Sequence, residues 1–287
     1  MINDSIKLLV VEGYARESRD TLVESGMALA SDLYKAMLLS IVPNAIVDIV
    51  TPADVDTSLP EGVALSSYDG VAITGSNLSV LDDSNPSVRR QVDFQKEVFD
   101  QGVPSFGSCW ALQVGTVASG GEVRINPKGR EMGFARKIKL TDSGLNHPLY
   151  KGKPPVFDGF ASHEDEVIST PPKSEILSGN HVSRVQAMEI TCGKGTMWAL
   201  QYHPEYDTGE LASLIRCREE RLIRMGFFGD SESLHEYTRK LDILREDPQR
   251  KDTAWELGID TDILDKNVRQ LEVRNWIESL VLPNVSH

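Results

Sequence analysis

Two short segments of this chain carry side chains that could act together as a nucleophile and its base. Cys109 follows an apolar run that ends at Phe106 and precedes a helical pattern, so its thiol should lie at a strand-to-helix corner. A thiol attacks acyl groups well when it is partly ionised and close to N–H groups that bind the developing oxyanion. The small residues Gly107 and Ala111 allow a tight corner, and the start of the following helix favours a thiolate. Taken alone, this pattern leaves a catalytic cysteine and a buried structural cysteine open.

A histidine that could serve as the base follows a later strand pattern. His203 precedes Pro204, and Glu205 stands two positions after the histidine. Proline fixes the local φ, so the carboxylate can hold the imidazole ring with little loss of entropy. Alone, this segment is also compatible with a surface turn. Both segments should follow strands at the carboxyl edge of one sheet, where open α/β folds bind ligands, and this shared position favours a triad.

The other cysteines and histidines lack such a setting. Cys192 precedes a glycine turn, and Cys217 lies between two arginines on a predicted helix, so we interpret both as structural. Three scattered cysteines without a Cys-x-x-Cys pair indicate neither a disulfide framework nor a zinc site. We therefore expect no metal and no cofactor. The remaining histidines interpreted as lying outside the site are His147, His181, His235 and His287.

The composition limits the class of protein and its partners. The chain has 287 residues, of which 40% are hydrophobic and 25% charged, as in ordinary globular proteins. Its formal charge of −13 argues against nucleic acid as a partner. No apolar run approaches the roughly 20 residues of a spanning helix, and the first residues lack a signal-peptide pattern. We therefore expect a cytoplasmic protein that acts on a small molecule, without a membrane or nucleic-acid partner.

Alternating elements predict the scaffold that positions the two segments. Strands that alternate with helices at this spacing predict an α/β fold with a mostly parallel central sheet and helices on both faces. Short alternating runs between residues 120 and 190 predict antiparallel strands added to one edge. A buried strand over 196–201 then leads to His203. The other strands are expected at 6–11, 45–50, 70–74 and 103–106, and the helices at 26–41 and 86–100.

The last part of the chain has apolar residues at helical spacing. Asp247-Pro248 and Gly258 mark breaks between helices. We predict a catalytic domain over residues 1–207 and a helical C-terminal extension over residues 208–287, packed on it. The apolar stripes of the extension could bury against the catalytic domain, or form a docking or dimer surface that covers the site.

In this order and spacing, the motifs resemble those of the class I (triad-type) glutamine amidotransferases, such as the amidotransferase domain of GMP synthetase. Residues 107–113 and 203–205 match the nucleophile and histidine motifs, and residues 73–80 resemble the oxyanion loop. Residues 160–165 resemble the segment whose backbone holds the α-amino and α-carboxylate groups of glutamine, and residues 129–133 resemble a Glu-x-Gly stretch. The resemblance covers about residues 6–207 and implies a flavodoxin-like sheet.

The resemblance also implies a role for each matched residue. Cys109 attacks the side-chain amide carbon of glutamine, His203 passes a proton to the leaving ammonia, and Glu205 orients His203. Backbone N–H groups of Ser76 and Trp110 form the oxyanion hole. The remaining residues implied to form the oxyanion loop or to bind substrate are Gly75, Gln113, Ser162, His163, Glu164 and Asp165.

Three positions depart from the pattern of the family. Ala111 replaces a glycine and should tighten the corner, and Asn77 replaces a proline and should leave the oxyanion loop less rigid. Glu164 replaces a glycine and would bring a carboxylate near the α-carboxylate of the substrate. This last change points towards a γ-glutamyl compound other than plain glutamine.

The sequence leaves three functions open. The chain could release ammonia and glutamate from glutamine for a synthetase partner, or act alone on γ-glutamyl amides or peptides. No P-loop is present, so the chain does not activate an acceptor by that route. A non-catalytic regulatory relative is the third possibility, and the intact set of Cys109, His203 and Glu205 argues against it. A homodimer is the other protein partner considered.

Overall fold

The computed structural model describes residues 6–285, and the chain begins with alternating strands and helices. His287 and the outer ends of the two predicted domains lie outside the described residues. The first elements are β1 (Lys7–Val11), α1 (Arg16–Glu24), α2 (Ala30–Ile41), β2 (Ile46–Val50), β3 (Gly70–Ile73), α3 (Pro86–Gln101), β4 (Ser105–Ser108) and α4 (Trp110–Ala118). The next are β5 (Glu122–Ile125), β6 (Glu131–Leu140), α5 (Asp142–Asn146), β7 (Val156–His163), β8 (Asp165–Ser169), β9 (Ser174–Gly179), β10 (Ala187–Cys192) and β11 (Gly195–Leu200).

Most of these strands form one nine-stranded sheet in the order β2-β1-β3-β4-β11-β10-β9-β6-β7. In this order, the first five strands, β2, β1, β3, β4 and β11, pair parallel to one another. The strands beyond β11 pair antiparallel, and β5 and β8 form a separate pair. The predicted α/β fold is therefore confirmed, with a mostly parallel sheet in flavodoxin-like order and antiparallel strands at one edge.

Consecutive residues of the central strands are buried on opposite faces of the sheet. Leu8 and Leu9 in β1 are both 0% exposed, and they belong to two different apolar cores. Leu8 packs in the core that contains Tyr34 of α2, whereas Leu9 packs in the core that contains Phe99 of α3. Because side chains alternate along a strand, helices must cover both faces, and this burial explains the continuous apolar runs in the sequence.

Two predicted boundaries were wrong. The helix expected over 26–41 begins at Ala30, because Gly26 has a φ of +72° and closes a separate helix, α1, that the sequence analysis missed. Helix α1 buries only Leu22, so it has no apolar stripe to reveal it. The strand expected over 103–106 is β4, which extends to Ser108 and includes Gly107. Parallel pairing with β11, rather than apolar character, decides where β4 ends.

The last part of the described chain is helical, with the predicted breaks. Helix α8 ends before Asp247, and Gly258, with a φ of +62°, follows α9. The helices are α6 (Thr208–Cys217), α7 (Glu219–Arg224), α8 (Ser231–Glu246), α9 (Lys251–Leu257), α10 (Thr261–Leu264), α11 (Lys266–Arg269), α12 (Leu271–Trp276) and α13 (Leu282–Val285), with a π-helical turn at Ile277–Val281 before the last. None of the helices within residues 6–285 combines the length and apolar character needed to cross a bilayer.

These helices bury their apolar stripes against the sheet. The ring of Trp276 lies 5.6 Å from the ring of Phe106 in β4, and a Cβ at Gly70 in β3 would come within 2.9 Å of Trp276. The buried ion pair of Lys153 and Glu272, with N and O atoms 2.9 Å apart, adds a polar contact. The tail therefore completes a core face of the sheet, while the division into domains at residue 207 stays a prediction.

Candidate active site

Cys109 occupies a strained backbone position between β4 and α4. Its φ of +53° and ψ of −98° are unusual for a residue with a side chain. A Cβ at Gly107 would lie 2.3 Å from the Cβ of Ala111 and 2.5 Å from the carbonyl oxygen of Ile73. Glycine is therefore required at position 107, and the methyl group of Ala111 occupies the space that this glycine leaves free.

The parallel register of β4 and β11 brings the two predicted segments together. Ser108 lies opposite Leu200, and the amide of Cys109 donates a hydrogen bond of 2.7 Å to the carbonyl of Leu200. The amide of His203 donates one of 2.8 Å to the carbonyl of Phe160 in β7. Both side chains thus leave the carboxyl end of the sheet, as the sequence predicts for a ligand site.

His203 is held by a carboxylate on one side and faces the thiol on the other. Its Nδ1 lies 2.7 Å from Oε1 of Glu205, and its Nε2 has no hydrogen-bond partner within residues 6–285. Burial lowers the pKa of His203, but the Glu205 charge and the Cys109 sulfur outweigh it and raise the pKa to about 10. The ring of Tyr206 stacks on the imidazole at 4.2 Å. This environment favours the imidazolium form of His203.

Glu205 is itself positioned by two hydroxyl groups that the sequence analysis did not select. The hydroxyl of Tyr34 in α2 donates to Oγ of Ser108 at 2.6 Å, and Oγ of Ser108 donates to Oε1 of Glu205 at 3.0 Å. Burial holds the pKa of Tyr34 well above its ordinary value, so the phenol remains a donor. No local motif identifies Tyr34, because it precedes Ser108 by 74 residues.

The loop after β3 lies against both Cys109 and His203. A Cβ at Gly75 would be 3.0 Å from Cε1 of His203 and 3.9 Å from Cβ of Cys109. Oγ of Ser76 donates to the carbonyl of Gly13 at 2.8 Å. This close approach is what an oxyanion loop needs, since its backbone N–H groups must reach the oxygen of the carbonyl that the thiol attacks.

Asn77 does not leave this loop unattached. Its amide donates to Oγ of Ser18 in α1 at 3.0 Å, and Oγ of Ser79 donates to Asp165 at 2.6 Å. Oγ of Ser76 also accepts from the amide of Leu78 at 3.2 Å. These side-chain hydrogen bonds tie the segment to α1 and to Asp165, and the expectation of a looser loop stays a prediction.

The first turn of α4 lies directly after Cys109 and is the second source of backbone N–H groups at the site. The amide of Trp110 lies at the helix start, where the helix provides no acceptor for it. The indole of Trp110 is buried and donates to Gln91 at 2.8 Å, so only its backbone is available to a ligand. Gln113, one turn later, also lines the cavity.

A cavity of about 340 Å³ opens above Cys109. Its walls come from the loop after β3, from residues 162–165, from α1 and from the junction of α6 and α7. Its volume lies at the small end of small-molecule sites. Within residues 6–285, no three His, Cys, Asp or Glu side chains converge as the ligands of a metal ion would.

Residues 162–165 form one wall, but they contribute differently. The carbonyl of Ser162 lies 3.9 Å from Sγ of Cys109. Both ring nitrogens of His163 bond within the protein, to the carbonyl of Asp165 at 3.0 Å and to Glu131 at 2.8 Å. The side chain of His163 therefore supports the wall and offers no free nitrogen to a ligand. Burial raises the pKa of Asp165.

The carboxylate of Glu164 is compensated by two arginines. Its Oε2 accepts from Arg130 at 2.7 Å and from Arg221 at 2.9 Å. Arg130 is only 10% exposed, whereas Arg221 is half exposed. The expected repulsion between Glu164 and a substrate carboxylate is thus offset by two positive charges, which the sequence could not reveal because Arg221 lies 57 residues away.

The helical tail contributes cavity residues that the sequence analysis missed. Arg218 and Arg221 line the cavity together with the exposed Cys217, which the sequence indicated as structural and outside the site. Tyr14, from the turn after β1, lies on another side. The cluster of arginines at the end of α6 was the available signal, but nothing local relates it to Cys109.

A family model and two curated relatives match this chain in sequence. The model of the family "glutamine amidotransferase class-I" matches residues 29–216. A γ-glutamyl-L-1-hydroxyisopropylamide hydrolase from a Pseudomonas species is 31% identical over 214 residues, which are 73% of this chain and 71% of the relative. A glutamine-hydrolysing GMP synthase from Neisseria meningitidis serogroup C is 30% identical over 122 residues, or 42% of this chain and 23% of the relative.

A solved structure also shares the fold. A glutamine amidotransferase from Thermotoga maritima superposes with a TM-score of 0.64 at 14% identity, and the match covers 97% of this chain and 99% of that one. The family match extends over more than half of this chain and includes Cys109, His203 and Glu205. The chain belongs to the class I glutamine amidotransferase family.

Proposed function

We propose that this class I amidotransferase hydrolyses the γ-amide bond of a γ-glutamyl compound through a thioester on Cys109. The observation that carries the proposal is the juxtaposition of a strained cysteine with a histidine–glutamate pair at the floor of a cavity. Sγ of Cys109 faces a ring whose far nitrogen is held at 2.7 Å by Glu205. This combination of nucleophile, base and orienting group is suited to acyl transfer.

The proposed reaction has two halves. The Cys109 thiolate attacks the γ-carbonyl carbon, and the backbone N–H groups of Ser76 and Trp110 bind the oxyanion. As the tetrahedral intermediate collapses, the His203 imidazolium gives its proton to the leaving nitrogen, and ammonia or an amine departs. Water then loses a proton to His203 and attacks the thioester. The C–S bond then breaks, the product leaves as glutamate after losing a proton to solvent, and the released thiolate again pairs with the His203 imidazolium.

The electrostatics support this assignment of roles. A pKa of about 10 for His203 keeps the imidazole protonated at neutral pH, so a proton is ready for the leaving nitrogen. The helix that begins at Trp110 places its positive end at the thiolate and at the oxyanion. Glu205, buried with the imidazole, keeps the proton on the ring and fixes its orientation.

The leaving group of the substrate is the open choice, and one observation favours an N-substituted amide. The relative whose name specifies an N-substituted γ-glutamyl amide aligns over 73% of this chain, whereas the GMP synthase aligns over 42%. The cavity also extends from Cys109 to Ser18 and Thr21 of α1. We therefore favour N-substituted γ-glutamyl amides as the substrate class and a stand-alone hydrolase as the type of enzyme.

Glutamine hydrolysis coupled to a synthetase is the second candidate. It is supported by the 30% identity to a glutamine-hydrolysing GMP synthase over 122 residues. Both candidates use the same half-reactions at Cys109, and they differ in whether ammonia is released to an acceptor on another protein.

A substrate panel tests the proposal. Purified full-length protein would be given glutamine, γ-glutamyl ethylamide and γ-glutamyl peptides, with glutamate and the released amine both quantified. We expect turnover by the wild type, none above background by Cys109→Ser, and unchanged turnover by the matched control Cys192→Ser. Faster turnover of substituted amides than of glutamine would select the stand-alone hydrolase. Turnover of none of these compounds, or turnover that survives Cys109→Ser, would overturn the proposal.

A further inference from the structure

One of the arginines that line the cavity has no acidic partner. Arg130 and Arg221 both bond to the carboxylate of Glu164. Arg218 makes no ion pair with any carboxylate of residues 6–285, and its Nη1 donates instead to the neutral hydroxyl of Ser162 at 2.7 Å. The cavity therefore contains one positive charge that the described protein does not balance.

The fold holds this charge close to the candidate nucleophile. Arg218 lies between α6 and α7, with a φ of −110° and a ψ of 19°, and its amide donates to the carbonyls of Leu214 and Ile215 at 3.2 Å. The residue that its side chain contacts, Ser162, places its own carbonyl oxygen 3.9 Å from Sγ of Cys109. Ser162 therefore contacts both the guanidinium of Arg218 and the thiol of Cys109.

The charge of Arg218 reaches the aromatic groups around the site. Burial raises the pKa of Tyr14, and the Arg218 charge opposes that shift. The same opposition acts on the pKa of Tyr206, whose ring stacks on His203. A partly buried cation that polarises its surroundings without a counter-ion is a typical binding site for an anion.

We infer that Arg218, on the helical tail, binds the α-carboxylate of the γ-glutamyl substrate. The inference rests on the proposed function, because that function supplies a substrate with a carboxylate. Planar guanidinium groups bind carboxylates through two parallel hydrogen bonds. The hydrogen bond from Nη1 of Arg218 to Ser162 holds the guanidinium at the wall of the cavity, where a substrate carboxylate can reach it. Arg130 and Arg221 compensate Glu164, so its charge does not repel the incoming carboxylate.

The test compares ligands that differ only in this carboxylate. L-glutamate and 4-aminobutyrate share the amino group and the carboxylate that corresponds to the cleaved amide, and only glutamate has the α-carboxylate. For Arg218→Gln we expect the inhibition constant of glutamate, and the KM of γ-glutamyl ethylamide, to rise at least about tenfold. The inhibition constant of 4-aminobutyrate should change less than about threefold, because a charge-assisted pair contributes only where the carboxylate exists. Arg218→Lys should fall between Arg218→Gln and the wild type.

Two controls separate recognition from folding. Arg224→Gln removes an exposed arginine from the same helical segment outside the cavity and should leave both constants unchanged. Circular dichroism establishes that Arg218→Gln folds. Equal effects of Arg218→Gln on glutamate and on 4-aminobutyrate would overturn the inference and assign Arg218 to positioning Ser162. Wild-type protein that cleaves no γ-glutamyl amide would instead overturn the proposed function, and calorimetric dissociation constants for glutamate and 4-aminobutyrate, which need no turnover, would still decide the role of Arg218.

Discussion

Oγ of Ser108 donates a hydrogen bond of 3.0 Å to Oε1 of Glu205. The residue directly before the proposed nucleophile therefore holds the carboxylate that orients the proposed base. The two residues are 97 positions apart, and the parallel pairing of β4 with β11 brings them together. The same carboxylate oxygen also accepts from His203, so any change at Ser108 is transmitted to the imidazole.

Removing this support should slow catalysis without removing the nucleophile. For Ser108→Ala, and for Tyr34→Phe to a smaller extent, we expect kcat to fall about tenfold, which corresponds to about 1.4 kcal/mol of transition-state stabilisation. The reason is that Glu205 would lose a donor and hold His203 less well. Steady-state kinetics with γ-glutamyl ethylamide measures this effect. Ser119→Ala, on the far end of α4, is the control, and unchanged kcat in Ser108→Ala would contradict the prediction.

The pH dependence of His203 should be displaced far to the alkaline side. Its pKa is about 10 in the folded protein, against an ordinary value of 6.5. Because the folded pKa is raised, the stability that His203 contributes is fully present below about pH 6.5 and is lost as the pH rises through about 10. NMR titration of the His203 ring should give the alkaline midpoint, and Glu205→Gln should lower it. A midpoint near the ordinary value in the wild type would disprove this account.

The corner at Cys109 should not tolerate a larger residue at position 107. In Gly107→Ala the new methyl group would meet Ala111 at 2.3 Å and the carbonyl of Ile73 at 2.5 Å. Neither neighbour can move without shifting β3 or α4, so we expect a loss of more than about 2 kcal/mol in the free energy of unfolding. Urea denaturation gives that value. Ala111→Gly, which removes a methyl group from the same contact, should still fold, and equal stability of Gly107→Ala and the wild type would refute the steric argument.

The helical tail should be required for the sheet to fold. Trp276 is 0% exposed and packs on Phe106, the residue of β4 that lies three positions before Cys109. We expect Trp276→Ala to cost about 3–5 kcal/mol of unfolding free energy, and a chain that ends at residue 226 to lose the cooperative transition. Trp255→Ala is the matched control because that ring is 77% exposed. A stable, cooperatively folding truncated chain would show that the sheet folds without the tail and would contradict the prediction.

The sequence alone was sufficient for the scaffold and for the three central side chains. The alternation of strands and helices predicts the parallel sheet, because buried strands need apolar residues on both faces. Cys109, His203 and Glu205 could be selected because each lies in a short motif directly after a strand. Local motifs of this kind depend on the backbone within a few residues, and that information is contained in the sequence.

The tertiary structure alone decided which distant groups complete the site. Arg218 and Arg221 reach the cavity because the tail folds back on the sheet. Tyr34 reaches Ser108 because α2 covers one face of the sheet. In the sequence, Glu164 looks unfavourable to a substrate carboxylate. In the structure its negative charge is compensated, because Arg130 and Arg221 pair with it. Charge compensation depends on distances of a few ångströms between residues far apart in the chain, and residue spacing does not specify those distances.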